Sequence, residues 1–405
     1  MGPDQAFMRG WFQRYYQSRP PRAPERLDRR EFGFMFFDRD YVQRHLGFGE
    51  VGQLHSFLQG QVPSHTYYSS AYYQLPAAAT MEEKKWLGAD VVFDLDADHV
   101  KGAETLTYAE MLARIKVELL RLLDDFLLGD LGLDVSHLKI VFSGGRGYHI
   151  HVVDARLATL RSHERREIVD YIAGTDLNME WVFPERITNV KTFRAGAQES
   201  RVRSIPSISS GGWRRRMRDG IVWLVEEMRS RDLDDLRARL PTLAQESDTM
   251  IQGMLRDLYS KSGSREGADL MLSGNAFSSF TDRRHLDLFL RLLEVEVKPR
   301  FTAEIDEPVT SDIKRLIRLP LSLHGKTGLR VTPMSREQLS SFDPLRDAVP
   351  DIFPERPIEV YVPRPAEVEI KGERFRVQGI CEVPTYAAIF MIGRRMATLE
   401  VPPEE

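Results

Sequence analysis

The segment "VVFDLDADHV", residues 91–100, decides the fold. Three apolar residues lead into Asp94, Asp96 and Asp98 at every second position, and a strand projects alternate side chains from one face. Three like charges side by side repel, so something must hold them there. Downstream, residues 105–127, "TLTYAEMLARIKVELLRLLDDFL", place Tyr108, Met111, Ile115, Leu119, Leu122 and Phe126 at steps of three and four. That spacing predicts an amphipathic helix, which Gly129 and Gly132 end. "LKIVF" at 138–142 reads as a buried strand, followed by a Gly-rich turn and the strand "YHIHVV". Strand, helix, strand, turn, strand is the order of an α/β module built on a sheet.

The whole chain has 405 residues, enough for two or three domains. A 42% hydrophobic and 29% charged composition fits a globular protein that buries a core. With 56 basic against 60 acidic residues the formal net charge is −4, so net charge alone predicts no nucleic-acid partner and the placement of charge matters more. The sole cysteine, Cys381, excludes an internal disulfide and a Cys-rich metal knuckle, and suits a reducing cytosol. The N-terminus lacks the apolar core of a signal peptide, and no run approaches the ~20 apolar residues of a membrane span. The expectation is a soluble, cytoplasmic, intracellular protein.

Around the acidic strand the pattern is uneven. A helix is expected near residues 5–17, then an extended Pro/Arg arm, then a strand in "REFGFMFFD". "SHTYYSSAYYQLP" carries four tyrosines, read as buried packing, with contact to a base or template as the alternative. Residues 155–295 are mostly helical in pattern, interrupted by an irregular stretch from Arg186 to Arg218 that holds nine basic residues and one acidic residue, Glu199. Such an excess reads either as a solvated loop or as a phosphate-contacting surface. After residue 300 the α/β pattern returns. The expected organisation is therefore an α/β catalytic domain in two sequence pieces, 1–185 and 296–405, with a mostly helical insertion at 186–295.

The acidic strand is not an EF-hand loop, because His99 and Thr105 stand where Gly and Glu are needed. A phosphotransferase of the haloacid-dehalogenase type fits poorly, since Asp98 occupies a position usually held by Thr or Val. A divalent-metal site remains, in which Mg²⁺ or Mn²⁺ neutralises the carboxylates and binds phosphate oxygens. "FSGGRGYHIHV", residues 142–152, suits the same ligand: a Ser-Gly-Gly turn offers backbone amides as an anion nest, Arg146 a guanidinium fork, and His149 follows at strand spacing with His151 on its face. A Gly-rich hairpin with an incidental Arg is the plain alternative. "LSLHGKTGL" is no P-loop, since Pro320 stands where that motif needs Gly. Arg315, Arg318, His324 and Lys326 remain as groups able to reach a phosphate, and Asp306, in "EIDEPV", is either one more carboxylate for the metals or a surface aspartate.

"FDLDADH", "FSGGRGYHIHV" and "RLIRLPLSLHGKTGLRV", in that order around a helical insertion, resemble the catalytic small subunit of archaeal and eukaryotic DNA primase. "YSSAYY" and "WLGADVVFDLDADH" read like the archaeal branch, and the likeness spans most of the chain. The resemblance implies a primase-type α/β catalytic domain with a mixed β-sheet and flanking helices. It implies that Asp94, Asp96 and Asp306 are the catalytic, metal-binding carboxylates holding two Mg²⁺ or Mn²⁺ ions, and that Ser143, Arg146, His149, Arg318 and His324 bind the nucleotide. Lys326 lies beside them; Asp98 and His151 receive no direct role. The implied activity is template-directed synthesis of short primers on single-stranded DNA from nucleoside triphosphates. The implied partner is a larger regulatory subunit bearing an iron–sulfur cluster, which a chain with one cysteine cannot ligate itself. The family's Cys/His zinc element is likewise not expected here, and Leu321 stands where the third motif often has Gly. Rival readings are a related repair polymerase that extends primers without starting them, a metal-dependent phosphohydrolase, and a non-catalytic nucleic-acid-binding subunit.

Overall fold

The computed structural model describes residues 1–97, 106–193 and 196–400, without the side chains of residues 188–200. Asp98, and Arg194 of the basic stretch, lie outside the described residues. The chain forms two compact units: Met1–Leu128 with Gly132–Val169 and Glu304–Glu405, and Gly129–Leu131 with Asp170–Ala303.

In the first unit the elements run α1 (Pro3–Ser18), β1 (Phe32–Met35), β2 (Gln43–Leu46), α2 (Val51–Gln61), β3 (His65–Ser69), β4 (Ala71–Tyr73), β5 (Trp86–Ala89), β6 (Val91–Asp96), α3 (Tyr108–Arg121), β7 (Leu138–Phe142) and β8 (Gly147–Val152). The second piece adds α4 (Glu307–Ser311), β9 (Leu316–Arg318), β10 (Thr332–Met334), β11 (Pro357–Ile370), β12 (Glu373–Pro384) and α5 (Thr385–Gly393). Two four-stranded sheets carry the site, in the orders β9-β3-β1-β2 and β10-β7-β8-β6. β6 and β7 both run antiparallel to β8, so they are parallel to each other, as the strand–helix–strand connection requires. Because β8 slots between them, every neighbouring pair in this sheet is antiparallel, where the resemblance had implied a mixed sheet.

The alternation read from the sequence places the two faces of this sheet. Phe93 and Leu95 of β6, with Tyr148 and Ile150 of β8, are buried on one face, and α3, which buries Ile115 and Leu119, packs against both strands. Each such side chain contributes about 1.5–3 kcal/mol through burial. The other face carries Asp94 and Asp96, with His149 directly across from Asp94. α3 is shorter than its apolar period suggests: the chain widens into a π-helix at Leu122–Asp130.

The Tyr-rich segment is mainly a packing element. Tyr68, Tyr72 and Tyr73 are buried, and Tyr72 donates its hydroxyl to Asp90 at 2.7 Å while Arg30 donates to the other Asp90 oxygen at 2.8 Å. β3 also accepts the second sequence piece, pairing Tyr68 with Ile317 and Tyr67 with Arg318. Between β9 and β10 the backbone passes through Leu321 at φ 66°, the left-handed region. That conformation explains why glycine suits the position, and its Leu is held by two bonds: its amide donates to the Val331 carbonyl at 2.7 Å and its carbonyl accepts from the Tyr15 hydroxyl at 2.9 Å.

In the second unit an antiparallel hairpin, Glu185–Phe193 with Gly196–Arg203, leads to helices at Gly212–Met228, Leu233–Arg239, Asp248–Tyr259, Gly267–Gly274 and Arg283–Leu292. The basic stretch is thus a hairpin, a turn and a helix start rather than an irregular loop. Several of its arginines serve the fold: Arg216 pairs with Asp130, Arg215 with Asp219 at 2.8 Å, and Arg218 donates to Asn275 Oδ1 at 2.6 Å. Among the described residues no helix is long and apolar enough to cross a membrane.

Candidate active site

A cleft of about 970 Å³ opens in the first unit. Asp94, Asp96, Ser143, Arg146, His149, Arg318 and His324 line it, so the three motifs meet in one place. Asp306 does not line the cleft; it is tied to the acidic strand through its backbone amide, which donates to the Asp94 carbonyl at 3.0 Å just before α4.

The first two motifs are joined by backbone contact. Gly147 lies opposite Asp96 in the β6–β8 register, and a Cβ there would sit 2.1 Å from the Leu95 carbonyl oxygen. Only glycine permits that approach. It brings His149 Nε2 to 3.4 Å from Asp94 Oδ1 and Arg146 to 3.9 Å from Asp96 Oδ1. Burial raises the Asp94 carboxyl above the usual carboxylate range; Asp96 and Asp306 push the same way, while His149 and Arg315 oppose them. Burial holds His149 below the ordinary imidazole value, with Arg318 and Arg315 adding to it and Asp94 and Asp96 resisting. A neutral imidazole beside the carboxylate follows. The second ring nitrogen of His149, Nδ1, is buried and has no hydrogen-bond partner among the described residues.

The Ser-Gly-Gly turn differs from the nest expected of it. The amides of Gly145 and Gly147 both reach Ser143 Oγ at 3.3 Å, and the Ser143 amide donates to the Gly147 carbonyl at 3.0 Å. These donors close the turn on itself, so Ser143 acts first as its brace. The charge at the turn belongs to Arg146.

The third motif wraps against the second. Gly144 adopts φ 76°, and a Cβ on it would meet His324 Cβ at 2.9 Å. Thr327 donates its hydroxyl to the Gly144 carbonyl at 2.6 Å, and His324 Nδ1 stands 3.3 Å from the same hydroxyl. His65, in the Tyr-rich segment, was not singled out by the sequence. Its Nδ1 accepts from Arg318 at 2.7 Å and from the Gly325 amide at 3.2 Å, and its ring meets His324 edge-on at 4.7 Å. Two donors on Nδ1 fix the proton on Nε2. Burial holds His65 and His324 well below the usual imidazole value, and Arg318 deepens both shifts. The cleft wall is therefore guanidinium and ammonium charge braced by neutral imidazoles. Arg39, Arg315, Lys326, Arg394 and Arg395 also line it. Arg394 and Arg395, far along the chain in an apolar helix end, carried no motif signal.

The donor chemistry of the acidic strand suits a hard divalent cation: carboxylate oxygens crowded near one another, one of them partly buried. Among the described residues no three His, Cys, Asp or Glu side chains already stand together as a ligand group.

Carboxylates on one strand facing a wall of guanidinium and imidazole groups define a site for phosphoryl or nucleotidyl transfer, in which positioning and charge do most of the catalysis. The comparisons narrow the class. Residues 93–336 match the family model described as DNA primase small subunit. The chain is 42% identical to the DNA primase small subunit PriS of Methanocella arvoryzae, covering 98% of each chain. It is 39% identical to that of Methanococcoides burtonii over 96% of this chain and 97% of the relative, and 38% identical to that of Halorubrum lacusprofundi over 96% of each. This chain belongs to the DNA primase small-subunit family, and it is a nucleotidyltransferase of that kind.

Proposed function

We propose that the chain synthesises short primers on a single-stranded DNA template from nucleoside triphosphates, working with a larger regulatory subunit. The observation that carries this reading is the meeting of the three motifs in one cleft, with Asp94 opposite His149 and Arg146, Arg318 and His324 around them. In this reading Arg146 and Arg318 hold the triphosphate of the incoming nucleotide, and the neutral His149 and His324 shape the pocket without competing for anions. The bond formed joins a 3′-oxygen to the α-phosphorus, and pyrophosphate leaves.

Asp94 and Asp96, with Asp306, would hold two Mg²⁺ or Mn²⁺ ions. Bound there, such ions would offset the carboxylate charge, make the attacking hydroxyl more acidic and supply positive charge for the triphosphate. The raised Asp94 carboxyl supports this assignment, because burial first, and then the nearby Asp96 and Asp306, disfavour a carboxylate there that a cation would offset. The test is incubation with unprimed single-stranded DNA, labelled nucleotides and Mg²⁺ or Mn²⁺, beside an Asp94→Ala, Asp96→Ala double variant. Short template-dependent products that vanish in the variant support the reading. Extension of an annealed primer without initiation indicates a repair polymerase, and phosphate release without template a phosphohydrolase.

A further inference from the structure

The C-terminal helix ends inside the cleft, at residues outside the three motifs. α5 is almost wholly apolar and buried from Tyr386 to Ile392. Its last residue, Gly393, lies so close to the third-motif turn that a Cβ would sit 2.9 Å from the Lys326 carbonyl oxygen. In return, a Cβ on Gly328 would meet the Ile389 side chain at 2.4 Å. The helix then closes in a Schellman pattern: the Met396 amide donates to the Met391 carbonyl and the Arg395 amide to the Ile392 carbonyl, both at 2.9 Å. Arg395 takes the left-handed position there, at φ 60°, which glycine ordinarily fills.

Arginines at a helix C-terminus have a plain explanation in the helix dipole. That accounts for their presence just past the helix end but not for where Arg394 goes. Its guanidinium lies 4.2 Å from the centre of the Tyr108 ring and 5.5 Å from that of Phe390. The Tyr108 hydroxyl in turn donates to the Gly145 carbonyl, in the turn that bears Arg146. Tyr108 is therefore a platform that carries a cation from the far end of the chain to the second motif. Among the described residues, the charged group that acts on Arg394 is Arg146, and the Tyr108 phenol beside it is neutral at ordinary pH. Burial, with the like charge of Arg146, holds its guanidinium below the usual value. A half-buried cation facing another cation is an arrangement that an anion relieves.

We propose that Arg394, with Arg395 beside it, is a phosphate-binding residue of this cleft, completing with Arg146 and Lys326 a subsite for phosphate groups. The identity of the phosphate rests on the function proposed above: it is either the triphosphate tail of a nucleotide or the backbone of a nucleic-acid strand. The planar guanidinium stacked on Tyr108 gives the fixed, forked geometry that phosphate recognition uses.

The test is direct binding, by calorimetry with inorganic tripolyphosphate, a nucleoside triphosphate and the matching monophosphate, and by fluorescence anisotropy with single-stranded DNA at several salt concentrations. The full chain is compared with Arg394→Gln, which keeps the stem on the Tyr108 ring but removes the charge, and with Arg394→Lys and Arg395→Ala; melting curves confirm folding. Loss of one charged contact weakens the affected ligand roughly 10- to 100-fold. Weaker tripolyphosphate and triphosphate binding in Arg394→Gln, with the monophosphate unchanged, supports the subsite and assigns it to the nucleotide. Weaker DNA binding, with the salt slope reduced by about one, supports it and assigns it to the strand backbone. No change in either, in a folded variant, overturns it. If the wild type shows no template-directed incorporation yet tripolyphosphate binding depends on Arg394, the functional reading fails and the subsite stands. Incorporation with an unchanged nucleotide KM and template affinity in Arg394→Gln has the opposite meaning.

Discussion

His65 offers a sharp test of how the cleft is held, because one ring atom serves two motifs' worth of structure. Its Nδ1 accepts from Arg318 at 2.7 Å and from the Gly325 amide at 3.2 Å. Removing that acceptor gives up a hydrogen bond from a charged donor, about 1.5–3 kcal/mol, and leaves a half-buried amide unpaired, a further ~1–3 kcal/mol of stability. Arg318 keeps a weaker hold, since its guanidinium also lies 5.2 Å from the centre of the Tyr67 ring. The lower part of the range therefore applies to its positioning, roughly 10- to 30-fold in nucleotide KM by the tenfold-per-1.4 kcal/mol relation. The comparison that isolates the cause is His65→Asn against His65→Gln and His65→Ala. Asn places an oxygen on Cγ, where histidine has Nδ1; Gln sets it one bond farther; Ala has none. Steady-state incorporation on a primed template, with KM and kcat taken separately, should show a raised KM in the Ala and Gln variants and a near-normal one in Asn. Equal KM values for Asn and Ala would refute the clamp, whatever their melting temperatures.

Other consequences follow from named contacts. Asp94→Asn should melt above the wild type at neutral pH without added metal, because burial and neighbouring carboxylates favour the protonated form. That stability is present below the ordinary aspartate value of about 4 and is lost as pH rises through the raised one, so the gap should close in acid; equal melting curves at all pH values would contradict it. Mg²⁺ or Mn²⁺ at ten times its dissociation constant should then stabilise the wild type by about 1.4 kcal/mol and leave Asp94→Asn almost unmoved, as read by differential scanning fluorimetry. Gly147→Ala, with its Cβ 2.1 Å from a carbonyl oxygen, should cost more than ~3 kcal/mol or prevent folding; a normal chemical-denaturation midpoint would show that the two strands tolerate separation. Leu321→Gly should be more stable than Leu321→Ala by about 0.5–1 kcal/mol, since both lose the side chain but only glycine adopts φ 66° freely; the reverse order in denaturant melts would mean the turn has another strain-free form.

What the sequence could show was set by the range over which each signal acts. Alternation along β6 and β8 is local, so the strands, the face that Asp94 shares with Asp96 and the face that His149 shares with His151 were legible from spacing, whereas the pairing of Asp94 with His149 was not. The meeting of the motifs in one cleft is not local: it depends on Gly147 letting two backbones touch, on Gly144 admitting His324, and on β3 pairing with β9. Nothing in the spacing of "HGKTG" states that His65, some 250 residues earlier, holds Arg318. The same gap explains why Arg394 went unread, since its placement is fixed by the packing of Ile389 and Gly393 on a distant turn and by the ring of Tyr108, which periodicity assigned to a helix core. It also explains the turn at Ser143, where composition offered free amides and geometry folds two of them onto the serine hydroxyl. Local patterns announce which residue types a phosphate site requires, whereas the contacts that orient its cations come from partners far apart in the chain.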